Sequence, residues 1–234
     1  MRVAIMQPYL FPYLGYFQLI NCVDKYVLDD TVQFIKGGWI NRNRLLINNE
    51  AVRFTLSLKK GSARSNINER YLSNRFKEES NRLLKTIEIN YKKAPYFLKV
   101  MPLICEILDY DNNSDIGSFN YNSIQKICTY MGIKTPLLKA SDIFDDMNLK
   151  CQDMVIEMVK ILNGNVYINA IGGIEIYSKK YFKERAIDLY FIKTNNIEYK
   201  QYNNKFIPNL SIVDVLMFNS KEQVKELLNQ YTLI

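Results

Sequence analysis

Arg2-Val-Ala-Ile-Met6, followed by Gln7-Pro-Tyr-Leu-Phe-Pro-Tyr-Leu-Gly15, is the stretch from which the rest of the chain can be read. The run 3–6 is apolar without alternation, the pattern of a strand covered on both faces at the centre of a parallel sheet. The segment after it is stiff and aromatic. Pro8 and Pro12 fix the backbone, and Gly15 permits a close approach at the start of a helix, whose free amides can receive a phosphate.

Working outward, residues 16–23 predict a helix and 25–28 a second strand, so the chain opens as a right-handed β-α-β unit with parallel strands. Residues 41–48 and 51–58 alternate well enough for a hairpin turning at Asn48-Asn49-Glu50. A basic, small-residue loop, 59–65, follows it. From 72 to 132 the period becomes helical, with helices expected over 75–91, 95–110 and 120–131. Strands at 136–141, 165–171, 189–193 and 198–202 then alternate with helices at 150–162 and 176–184. Helices 211–218 and 221–231, N-capped by Ser211 and Ser220, close the chain. The expected fold is α/β: one domain over 1–234 with a Rossmann-like, mostly parallel sheet of nucleotidylyltransferase type, and 72–132 as a helical insertion or lid.

The 234 residues are 48% hydrophobic and 24% charged, ordinary values for a globular protein. No run approaches the ~18 apolar residues of a membrane span, and no cleavable leader pattern opens the chain, so a soluble, cytoplasmic protein without membrane insertion is expected. Cys22, Cys105, Cys128 and Cys151 are scattered with no C-x-x-C pair, which reads as reduced thiols, and no metal site is expected. The chain contains no histidine. That excludes Ser-His-Asp and Cys-His catalysis and leaves carboxylates, Lys, Tyr, backbone amides or a substrate amine to do the chemistry. A net charge of +7 favours anionic partners such as phosphates, nucleotide sugars or RNA.

Two clusters read as a site. In the elbow after the first strand, Gln7, Pro8, Tyr9, Tyr13 and Tyr16 fall at the carboxyl end of the sheet, where open α/β sheets bind ligands. Tyr13-Leu-Gly-Tyr16 occupies the place of the His-x-Gly-His motif of nucleotidylyltransferases and class I aminoacyl-tRNA synthetases, with phenols in place of imidazoles. In the second cluster Asp29 and Asp30 end the second strand, and Gln33, Lys36, Trp39, Arg42, Asn43 and Arg44 follow closely. A carboxylate there can orient an amine, take its proton or hold Mg²⁺. Lys and Arg can clamp a diphosphate, and Trp39 can stack on a ring. Gly172-Gly173 is either a loop facing the same cleft or an ordinary strand-to-helix turn. Asp214, a carboxylate on an apolar helix, either closes the site or satisfies buried donors.

The blocks 6–20, 32–36, Trp39-Ile-Asn-Arg-Asn-Arg44, 92–97 and 210–218 resemble the signature blocks of the WbqC-like protein family from nearly one end of the chain to the other. The resemblance implies a role in bacterial surface-polysaccharide (O-antigen) gene clusters. By extension it implies transfer of an amino acid, glycine first among them, or a similar acyl group to the amine of a nucleotide-linked amino sugar. The donor would be an aminoacyl adenylate made from ATP with Mg²⁺, or an aminoacyl-tRNA; DNA is not an expected partner. In that reading Asp29, Asp30, Lys36, Tyr13 and Asp214 serve the chemistry. Gln7, Pro8, Tyr9, Tyr16, Gln33, Trp39, Arg42, Asn43, Gly172 and Gly173 hold the substrate. Two other readings stand beside it: a nucleotidylyltransferase-like ATP-dependent enzyme acting on a sugar or small alcohol, and a non-catalytic protein binding RNA or an assembly partner.

Overall fold

The computed structural model describes residues 1–144, 149, 151–202 and 205–234. Its elements, in chain order, are β1 (Arg2–Met6), α1 (Leu14–Asn21), β2 (Lys25–Leu28), β3 (Arg42–Ile47), β4 (Glu50–Thr55), α2 (Phe76–Tyr91), α3 (Phe97–Leu108), α4 (Ile116–Met131), β5 (Leu137–Lys139) and α5 (Ala140–Ile143). They continue with α6 (Cys151–Ile161), β6 (Val166–Ala170), α7 (Lys179–Lys183), β7 (Asp188–Thr194), α8 (Ile212–Phe218), α9 (Lys221–Leu227) and β8 (Tyr231–Leu233).

The main sheet has the order β5-β2-β1-β6-β7-β8. The pairs β5·β2, β2·β1, β1·β6 and β6·β7 are parallel, and β8 is antiparallel to β7. Counted along the chain, these six strands run 3-2-1-4-5-6, the doubly wound order, and the direction of winding reverses between β1 and β6. The apolar opening strand is therefore central, as its lack of alternation predicts. Ala4, Tyr26, Leu28, Ile168 and Ile192 face a larger core shared with α1, α2, α3, α4, α8 and α9. Val3, Ile5, Val27, Tyr167, Leu189 and Phe191 face a smaller one under α6 and α7. Both faces of β1 are covered, which is why its run 3–6 shows no alternation.

The segment between β2 and β5 contains the β3-β4 hairpin and then α2, α3 and α4. The hairpin register pairs Ile47 with Glu50, leaving Asn48 and Asn49 as a two-residue turn with φ of 50° and 65°. Asn tolerates this left-handed backbone, which matches the twist of the strands. Asp115 caps α4 by accepting the Ser118 amide at 2.8 Å. Buried residues of all three helices, among them Ile87, Ile104 and Ile127, belong to the larger core beneath the sheet.

The structure departs from expectation in several places: the strand expected over 136–141 ends at Lys139 where α5 begins, the 51–58 strand ends at Thr55, and the 120–131 helix starts earlier, at Ile116. α1 begins at Leu14, placing Tyr13 at its N-cap and Gly15 inside its first turn. α7 is confined to Lys179–Lys183, started by the Ser178 cap, while 174–176 form a turn. Residues 198–202 are not a strand: the outer edge of β7 is taken by β8, and Tyr199 and Gln201 turn inward to a buried carboxylate. The last helix stops at Leu227 so that the chain can supply that edge strand. The expected start of the 150–162 helix lies outside the described residues; from Cys151 the helix is present.

Candidate functional site

Where the winding reverses, the loops leaving β1 and β6 part and open a crevice at the carboxyl end of the sheet. A cavity of about 470 Å³ occupies it. The elbow contributes Tyr9, Pro12, Tyr13 and Gly15; the segment before and within β3 contributes Trp39, Asn43 and Arg44; the ends of β6 and β7 contribute Ala170, Ile171, Ile192, Lys193 and Thr194; and Asn209 closes one side. The walls carry two cations, Arg44 and Lys193, and no carboxylate. Because Gly15 lies in the first turn of α1, the positive end of that helix also faces the cavity.

The elbow is held by side chains distant in sequence. Asn43 donates to the Leu10 and Phe11 carbonyls, Asn120 to those of Pro8 (2.9 Å) and Ile40 (2.8 Å), and Ser211 Oγ to that of Phe11 (2.9 Å). The Leu10 amide donates to the Trp39 carbonyl at 3.1 Å. Trp39, the only tryptophan, lies between two guanidinium groups, Arg42 at 5.9 Å and Arg44 at 5.5 Å from its ring centre. Arg44 is steadied by donating Nη2 to the Asn209 carbonyl at 3.0 Å, and its buried Nε–H has no partner. Burial raises the Tyr9 and Tyr13 hydroxyls above the ordinary phenol value, so both stay protonated donors at neutral pH.

The two adjacent carboxylates have different surroundings. Asp30 is buried and accepts both the Ser141 amide (3.0 Å) and its hydroxyl (2.7 Å), tying β2 to α5. Asp29 accepts the Thr31 hydroxyl at 3.0 Å, and burial pushes its carboxyl up to about 6. Asp214 is fully buried and satisfies donors: Tyr91 at 2.9 Å, Tyr199 at 2.6 Å and Gln201 at 2.9 Å. Burial raises its carboxyl too, because the three donors are neutral and no cation offsets the lost hydration.

Tyr13, Asp30 and Arg42 therefore do not share one cavity among the described residues. The crevice unites Tyr9, Tyr13, Trp39 and Asn43. Gln7, Gln33 and Lys36 line a different and larger hollow, with Arg42 in a recess beside it. Pro8 and Tyr16 are buried behind the elbow, Tyr16 donating to the Gln7 carbonyl at 2.9 Å. Gly172 has open space around it, and Gly173 sits where a Cβ would meet the Asn169 side-chain nitrogen at 2.5 Å; they adjoin the crevice at Ile171 without lining it. Lys193, Thr194 and Asn209 escape sequence reading. Only the strand order carries the end of β7 to the elbow, and no local pattern marks Asn209 beyond its left-handed φ of 57°. Among the described residues no group of three or more Cys, Asp or Glu side chains gathers as metal ligands, and no helix is long and apolar enough to cross a membrane.

An uncharacterized protein of Mycobacterium tuberculosis (strain ATCC 25618 / H37Rv), Rv1507c, is 26% identical over 220 residues, covering 93% of each chain. No solved structure matches. The WbqC-like protein family matches over residues 7–226, which takes in the elbow, the Trp39–Arg44 block and the Asp214 helix. The chain belongs to the WbqC-like protein family.

Proposed function

We propose that the crevice binds a nucleotide-linked amino sugar, and that the protein is a cytoplasmic transferase placing an amino acid, glycine first among them, or a similar acyl group on the sugar amine. The product is a building block of bacterial surface polysaccharide. The observation that carries this reading is the chemistry of the crevice walls: aromatic faces from Tyr9, Tyr13 and Trp39 beside Arg44 and Lys193, with no carboxylate among them. Aromatic rings pack against sugar and base faces, and cations beside a helix N-terminus suit a diphosphate.

The reaction needs no histidine. The neutral sugar amine attacks the acyl carbonyl carbon, the new C–N bond forms, and the donor's oxygen leaving group departs with the electrons of the broken C–O bond. Positioning and amide or phenol donors toward the carbonyl oxygen supply most of the acceleration. With no carboxylate on the crevice walls, the proton of the attacking amine passes to the departing oxygen of the donor or to water; Asp29, whose carboxyl burial raises to about 6, lies outside the crevice lining.

Incubation of the protein with UDP- or dTDP-linked amino sugars, glycine and Mg-ATP, or separately glycyl-tRNA, is expected to add the mass of a glycyl group to the sugar nucleotide. No mass gain across a panel of amino sugars overturns the reading. Pyrophosphate release that needs no amine replaces it with a nucleotidyl transfer.

A further inference from the structure

A hollow of about 990 Å³ lies between the loop 31–38 and the loop 58–63, on the other side of the elbow from the crevice. The two cavities share no lining residue, and Gln7 is the only elbow residue on the wall of the larger one. Lys36, Lys59, Lys60 and Arg70 line it, and Arg42 joins Lys36 and Arg70 in the adjoining recess. None of the hollow's lining residues is acidic, and among the described residues none of these five cations forms an ion pair.

The arrangement is built. Gln33 Nε2 donates to the Ala63 carbonyl at 2.7 Å, and the Phe34 amide to that of Ser65 at 3.0 Å, which locks the two loops together. Arg70 reaches across beneath them, donating Nη1 to the Ser62 carbonyl (3.0 Å) and Nη2 to that of Lys59 (3.3 Å), with its guanidinium 5.1 Å from the Phe34 ring centre. Its Nε–H is buried with no acceptor. A Cβ on Gly61 would meet Arg70 Nη1 at 2.6 Å, so the loop backbone passes close against the guanidinium. Fixing like charges together costs free energy that an anion returns.

We propose that this hollow is a second ligand site, distinct from the crevice, that takes the polyphosphate of a small nucleotide. Lys36, Lys59, Lys60 and Arg70 meet the phosphates, and the apolar walls from Val32, Phe34, Ile35 and Leu58 take the base. A concave site with apolar walls and a cationic rim fits a compact nucleotide, whereas an RNA backbone needs an extended basic track. The inference does not depend on the transfer reaction.

The test is calorimetric titration of the full chain with ATP, and with inorganic triphosphate, at fixed salt, with and without Mg²⁺. Both are expected to bind. The double variant Lys59→Glu/Lys60→Glu is expected to weaken ATP by about tenfold or more. Because both side chains are exposed, its melting temperature should stay that of the parent. Lys193→Ala, in the crevice, is expected to leave ATP affinity unchanged. Absence of binding, ATP affinity untouched by the double variant, or loss in Lys193→Ala instead would each overturn the proposal. So would displacement of ATP by a short RNA whose own binding falls steeply with salt. None of these outcomes bears on whether an amino sugar is acylated in the crevice.

Discussion

Asn43 donates its side-chain amide to two consecutive carbonyls, those of Leu10 and Phe11, each at 2.8 Å. Phe11 carries a left-handed φ of 42°, a conformation that a bulky residue holds only where its surroundings impose it. Asn43, from the Trp-x-Asn-Arg block, is thus what shapes the Pro-Tyr elbow. Replacing Asn43 with Ala is expected to cost about 1–3 kcal/mol in urea unfolding, because the Leu10 carbonyl loses its side-chain donor while that of Phe11 keeps Ser211. Asn43→Asp would turn acceptor toward acceptor and should cost at least as much.

Trp39 is the sole tryptophan and stands on the crevice wall, so its fluorescence responds to a ligand bound there. A nucleotide-linked amino sugar is expected to change its intensity on titration, and Trp39→Ala to weaken binding by about tenfold, the scale of a lost stacking contact. An unchanged emission at saturating ligand would place the sugar elsewhere.

Gly15→Ala tests the crevice by filling it. The added Cβ would lie 2.5 Å from a Tyr13 ring carbon and 2.6 Å from Thr194 Oγ1, so both of these wall residues must give way. The expected outcome is loss of ligand binding with a change in melting temperature of a few degrees at most, since Ala in place of Gly offsets some of the strain by favouring the helix.

Asp29 should appear in the pH dependence of stability. Its carboxyl is raised by burial from an ordinary 3.8 to about 6, so the folded state holds the proton more tightly than the unfolded state does. The contribution of this group is fully present below the unfolded value and is lost as pH rises through about 6. Asp29→Asn is expected to be more stable than the parent above that window by on the order of 2 kcal/mol, with the difference vanishing toward pH 4.

Asp214 gathers Tyr91, Tyr199 and Gln201 on one buried carboxylate, and Tyr91 also accepts the Leu46 amide at 2.8 Å. This network joins α2, β3, α8 and the 198–202 segment. Asp214→Ala strands three donors and is expected to destabilise by about 3 kcal/mol or more, read from chemical denaturation. Ligand affinity per folded molecule should be unchanged, because Asp214 is buried behind the crevice and absent from its walls.

Much of this protein follows from neighbours along the chain. The unbroken apolar run of β1 marks a strand dry on both faces, Asn48-Asn49 dictates a tight hairpin, and Ser211 and Ser220 start their helices, because periodicity, turn chemistry and capping act over a few residues. The elbow's position at the sheet's carboxyl end follows from the same local grammar. What only the tertiary structure decided is which of the polar residues after β2 meet. Arg42 and Arg44, two apart on β3, start from the same face of the strand, yet Arg44 lines the crevice while Arg42 lines the recess beside the basic hollow. Lys193 and Asn209 reach the crevice only through the 3-2-1-4-5-6 order and the fold-back of the chain. Asp29 and Asp30 are chemically identical in sequence, and the long-range partner Ser141 is what makes Asp30 a tie between elements, while desolvation, with a smaller push from the charge of Asp30, makes Asp29 a weak acid.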